Sequence, residues 1–244
     1  MLKTFKYSFP LLLTFIYISI SACSKSNVIP PTPLKKITPT FTPKIIWSKN
    51  VGNGTGNTFL TLSPTIDVQQ KTLFTVSHNG WIMAIDAQTG KTRWQLNTGL
   101  PLSSAAGLSP SLVFTGSTNG KLVALNRVSG AIAWHTTLPS SLYAAPLYDS
   151  KTQLLIVATH DGSISAYQAL TGKLIWQHAS SLPPLILTGN SRPVIHEGKL
   201  YIGTASGIVW IYDVKTGQAL SNIVIASPKS AASTSSMLDI DDTP

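Results

Sequence analysis

"AIDAQTGKTRW", Ala84 to Trp94, reads as two strands joined by a turn, and the chain writes it four times. The other copies are "ALNRVSGAIAW" at Ala124–Trp134, "AYQALTGKLIW" at Ala166–Trp176 and a worn "IYDVKTGQALS" at Ile211–Ser221. Outward from this hairpin the punctuation is regular. Gly80, Gly120, Gly162 and Gly207 each stand ten residues before Gly90, Gly130, Gly172 and Gly217. Trp94, Trp134 and Trp176 follow four residues later, and Ser221 breaks the series. The period is 40, then 42, then 45 residues.

Before each first glycine lies a β-branched or aromatic run: "TLFTVS", "LVFTGS", "LLIVAT" and "LYIGTA". Such runs fit a pleated, half-buried surface. The strand after the glycine alternates, with Ile82, Ala84 and Asp86 on one face and Met83 and Ile85 on the other. Ala in mid-strand, kept in three copies, predicts close approach by a neighbouring sheet. A large flat ring at one place in successive sheets predicts a docking residue, so Trp94, Trp134 and Trp176 are read as structural docking residues. Four antiparallel strands per period make a β-propeller blade. The Gly-His and Trp-Asp pairs of the WD40 version are absent.

Four blades fall at about residues 60–98, 103–138, 143–180 and 191–226. "KIIW", Lys44 to Trp47, copies "KLIW" of Lys173 to Trp176, which predicts an outer, fourth strand without its three mates. "DDTP" at the end resembles the start of another inner strand. The fold expected is all-β, a partial, open propeller spanning 44–244 with raw edges that favour self-association.

The N-terminus is set apart from the fold. Lys3 and Lys6 precede an apolar run from Leu11 to Ile20, too short for a bilayer span and right for a signal peptide over 1–22. The run ends in "ISAC", which resembles a lipobox, so the lone cysteine, Cys23, is the expected lipidation site. Ser24 beside it favours the outer membrane by resemblance to the sorting rule of enterobacterial lipoproteins. Residues 23–43 carry Pro30, Pro31, Pro33, Pro39 and Pro43 and read as a semi-extended tether. Loss of Lys3 and Lys6 takes the net charge from +9 to +7. The basic residues form no stripe, and no nucleic-acid partner is expected.

Chemistry finds little support. "TGKT" at Thr89–Thr92 lacks the first glycine of a P-loop, "GNGTGN" from Gly52 lacks the third glycine of a dinucleotide fingerprint, and "GSTNG" centres on Thr118. His78 and His160 occupy equivalent turn positions, and His135 and His178 follow the tryptophans; they are read as turn and surface residues. Glu197 is the only Glu, and no carboxylate pair is placed for acid–base work. No catalytic residue, cofactor or metal is expected.

The pattern A-x-D-x-x-T-G-K-x-x-W resembles the tryptophan-docking motif of quinoprotein dehydrogenases, so a fragment of a PQQ-dependent enzyme is the competing reading. The closer resemblance is to the BamB family of outer-membrane assembly lipoproteins. It is carried by the lipobox, "FTPKIIWSKNVGNGTGN", "LPPLILTGNSRPVI" and "SMLDIDDTP". That resemblance implies a non-catalytic eight-bladed scaffold, of which about the N-terminal half is present. It also implies binding to the POTRA domains of the barrel-inserting subunit and help in delivering unfolded outer-membrane proteins, from a lipid anchor in the outer membrane. The family's leucine-rich loop falls on Leu185, Leu187 and Thr188, with Thr188 in place of Arg, and its acidic motif on Asp239 and Asp241.

Overall fold

The computed structural model describes residues 41–58, 60–179, 192–204 and 207–225. Two units divide the chain, Met1–Lys44 and Ile45–Pro244. Of the first, only 41–44 are described, as irregular chain. The second holds four four-stranded antiparallel sheets, each in simple sequence order, and no helix among the described residues.

Blade 1 comprises β1 (Thr65–Asp67), β2 (Thr72–Val76), β3 (Trp81–Asp86) and β4 (Thr92–Asn97). Blade 2 comprises β5 (Gly107–Leu108), β6 (Leu112–Gly116), β7 (Lys121–Asn126) and β8 (Ile132–Thr137). Blade 3 follows with β9 (Leu147–Asp149), β10 (Leu154–Ala158), β11 (Ile164–Gln168) and β12 (Leu174–His178). Blade 4 has β13 (Val194–His196), β14 (Lys199–Gly203), β15 (Ile208–Asp213) and β16 (Ala219–Val224).

The turn between the second and third strands of blade 1 is a four-residue loop, Ser77 to Gly80, rather than a two-residue hairpin. In blade 1 Gly80 N–H donates to the Ser77 carbonyl, and Gly80 alone is left-handed, at φ 94. The hydroxyl of Ser77 reaches Asn79 Oδ1 at 2.7 Å, and Thr159 reaches Asp161 Oδ1 at 2.6 Å in blade 3. A Ser or Thr three residues before the glycine, with Asn or Asp just before it, therefore closes the loop on itself. A second local device recurs in all four blades. The register between the third and fourth strands shifts after Ala84, Ala124, Ala166 and Ile211. Such a bulge inserts one residue and re-aims the outer strand. It brings Trp94, Trp134 and Trp176 directly opposite the small Ala84, Ala124 and Ala166.

The core lies between sheets. Phe74, Val76, Ile82 and Ala84 of blade 1 meet Leu102, Ala106, Val113 and Leu125 of blade 2. Phe114, Leu122 and Ala124 of blade 2 meet Leu142, Leu155 and Tyr167 of blade 3. Ile156, Ile164 and Ala166 of blade 3 meet Leu200, Ile202 and Val214 of blade 4. The alternation predicted from sequence is thus real, and in blades 2 and 3 each face is turned toward a different neighbour. The three mid-strand alanines are fully buried. Each large side chain buried in these layers contributes about 1.5–3 kcal/mol, so a single sheet, open on both faces, gains too little to stand alone.

One expectation is corrected. No strand forms at residues 44–47, and Ile45 and Ile46 are 83% and 85% exposed. A strand exists by virtue of a ladder partner, and no described strand borders this segment. "DDTP" lies outside the described residues.

Candidate docking surfaces

The tryptophans are joints between blades. Trp94 Nε1 donates to the Arg127 carbonyl at 2.9 Å, Trp134 to Ala169 at 3.0 Å and Trp176 to Val214 at 3.1 Å. Each acceptor lies in the last turn of the next blade. In that turn the ring covers a glycine: a Cβ placed on Gly130, Gly172 or Gly217 would stand 2.6–2.7 Å from the indole. Gly130 also sits at φ 74. Glycine is required there twice, for a left-handed backbone and for room against the ring. Trp47 makes the same joint, donating to the Ala87 carbonyl at 3.0 Å and covering Gly90. It was missed as a docking residue, although the match of "KIIW" to "KLIW" was the signal. The ring docks even though its strand is unformed.

In blades 1 and 4 the last turn is built by its own carboxylate. Asp86 Oδ1 accepts the backbone N–H groups of Gln88 and Thr89 and the Thr89 hydroxyl, and Asp213 repeats this with Lys215 and Thr216. Asn126 does the same in blade 2 with Val128 and Ser129. The D-x-x-T-G pattern is therefore a turn template. Arg93, the bulged residue, donates to Asp86 Oδ2 at 2.9 Å. The Arg93 guanidinium, with the Thr89 donors, holds the Asp86 carboxyl far below the usual range. The Thr216 backbone N–H and hydroxyl lower that of Asp213. These shifts belong to turns, not to an acid–base pair.

Between blades 1 and 2 lies a joint of a different kind. Arg127 pairs with Asp67 of β1, with both side chains 10% exposed; it also donates to the Ser109 carbonyl and lies 5.7 Å over the Phe74 ring. Nothing in the local sequence announces this pair, whose members are 60 positions apart. His78 Nδ1 lies 2.9 Å from the Leu102 carbonyl of blade 2, so it is an inter-blade contact as well as a turn residue. His178 stacks on Tyr212 of β15 with centroids 5.7 Å apart at 25°. His135 is exposed, and His160 meets Tyr143 edge-on. Among the described residues no group of three His, Cys, Asp or Glu is arranged to hold a metal.

Cys23, Leu185, Leu187, Thr188, Asp239 and Asp241 all lie outside the described residues. The described elements that flank this leucine segment in sequence are β12, whose His178 stacks on Tyr212, and β13, whose Val194 pairs with Tyr201.

Repeated sheets, tryptophan joints and Asx-built turns define the class: a PQQ-like β-propeller. The family model described as "Outer membrane protein assembly factor BamB" matches residues 78–244. The protein of that description from Vibrio cholerae is 37% identical over 227 residues, covering 91% of this chain and 58% of its own length. The chain belongs to the BamB family and spans well under two thirds of that relative. The crystal structure of BamB from Moraxella catarrhalis superposes with a TM-score of 0.66 at 24% identity, covering 75% of this chain and 58% of that one. A quinohemoprotein alcohol dehydrogenase from Comamonas testosteroni gives a TM-score of 0.54 at 15% identity, covering 67% of this chain and 35% of that one, a likeness of fold alone.

Proposed function

We propose that this chain is a non-catalytic scaffold lipoprotein of the outer-membrane β-barrel assembly machine, held by lipid on Cys23 and facing the periplasm. In this reading it binds the POTRA domains of the barrel-inserting subunit and assists insertion of outer-membrane proteins. The observation that carries the reading is the BamB family match over residues 78–244. A physical argument stands beside it. The repeat residues that most resemble an enzyme motif are occupied in turns and joints, so the motif is spent on architecture.

The partner surface is the loop of Leu185, Leu187 and Thr188 with Asp239 and Asp241. Two leucines on an inter-blade loop are hot-spot anchors, and clustered aspartates in an acid-poor chain orient a basic partner. Recovery of the POTRA region by the full chain, compared with Leu187→Asp, tests this. Loss of recovery with an unchanged melting curve is expected; equal recovery removes Leu187 from the surface. Thr188 stands where the family carries Arg. Thr188→Arg is expected to tighten binding about tenfold, the worth of one charge-assisted hydrogen bond.

A further inference from the structure

In every blade the turn joining the first two strands and the turn joining the last two lie at the same end. Backbone bonds tie them: Ala87 N–H to the Lys71 carbonyl, Arg127 to Ser111, Ala169 to Gln153 and Val214 to Gly198. The tryptophan joints then set the last turns of successive blades side by side. The result is one broad face made of eight turns, and its composition is lopsided. Lys71, Lys91, Lys151, Lys173, Lys199 and Lys215 are all exposed on it. Its carboxylates are engaged, Asp86 and Asp213 by their turns, Asp149 by Lys151 and Thr152 N–H groups, and Asp67 by Arg127; Glu197 stays exposed. Among the described residues the opposite end carries only Lys121, Arg192 and Asp161, and Lys121 donates to the Thr137 hydroxyl. A second feature shares the lysine face. Val68, Val128 and Leu170 stand at its turns, 75%, 82% and 64% exposed.

We propose that this turn face docks on an anionic phospholipid bilayer. Lysines spread over four blades match a charged plane better than a groove, and no aromatic side chains alternate with them as single-stranded nucleic acid would require. Apolar tips among cations suit a headgroup region, where short side chains reach the acyl boundary and ammonium groups meet phosphates. An acidic polypeptide would satisfy the lysines but leave the three tips in water.

The test is lysine labelling of the full chain on vesicles of phosphatidylcholine, alone or mixed with phosphatidylglycerol, compared among lysines of the same molecule. Lys71, Lys91, Lys173 and Lys215 are expected to label several-fold more slowly on the anionic vesicles, with Lys121 unchanged. Salt at about 1 M, where the screening length falls to about 3 Å, should restore their rates. Val128→Asp/Leu170→Asp, with an unaltered melting curve, should weaken the protection. The proposal is overturned by equal labelling at both ends, by the same protection on neutral vesicles, or by retained protection in the double variant. Protection by polyglutamate but not by anionic vesicles would also overturn it, assigning the face to an acidic protein.

Discussion

At the residue scale, function in this chain is mostly the function of one atom against another. Gly130 must leave room for Trp94, and Gly130→Ala adds a Cβ where the ring stands and strains a left-handed backbone. A loss of about 2–4 kcal/mol is expected from these two costs together, read by urea denaturation followed by tryptophan fluorescence; an unchanged midpoint would refute the joint. Thr75 supplies the opposite case. It is 6% exposed and its hydroxyl has no partner among the described residues, whereas Thr115 at the same place in blade 2 donates to the Ser104 carbonyl at 2.9 Å. Thr75→Val is expected to raise stability by about 1 kcal/mol, because a buried hydroxyl without a bond costs about that much or more; a loss would show a hidden partner. The glycines and tryptophans were legible because they repeat. Thr75 was not, because its defect depends on what a neighbour fails to offer. Asp67 and Arg127 were not, because an ion pair across blades leaves no periodic trace.

At the element scale the last turn and the joint can be tested apart. Asp86→Asn should keep the turn, as Asn126 does naturally, while losing the ion pair to Arg93. Asp86 has its folded pKa held below the ordinary value, so its contribution is present above about pH 4. It is lost as pH falls through the lower folded value. Acid titration of the wild type should therefore show a loss of stability below about pH 4 that is smaller in Asp86→Asn; identical acid profiles would contradict the assignment. Asp67→Ala is expected to cost about 3–5 kcal/mol, since it strands a buried guanidinium. Arg127→Met/Asp67→Leu should cost much less, and equal losses would show that the pair matters by packing alone. Strand order and face alternation were legible in sequence. The bulge after Ala84 was not, because one extra residue leaves the period of two unchanged on either side of it.

At the scale of the whole molecule, each sheet touches only its neighbours, so stability resembles a sum over interfaces. Blades 2 and 3 are covered on both faces, and β16 is exposed along its whole length. Amide exchange is expected to be slowest in β6, β7, β10 and β11 and fastest in β16; uniform protection would mean that the blades open as one body. The architecture was legible, since four copies at a nearly constant period admit few solutions. The partner surface proposed above rests on resemblance alone, because Leu185 and Leu187 belong to no repeat that physics could extend. Trp47 shows the boundary between the two. Its strand does not form, yet its ring docks, because the joint asks only for an indole and a bare turn.

The two halves of that joint sit in adjacent copies, the ring in one and the glycine in the next. A tandem duplication of any one repeat would therefore carry a matching plug and socket into the lengthened gene, and the new seam would fit without further change. Copy four is the exception: with Ser221 in place of the ring, any unit spliced after it would inherit a socket and meet no plug.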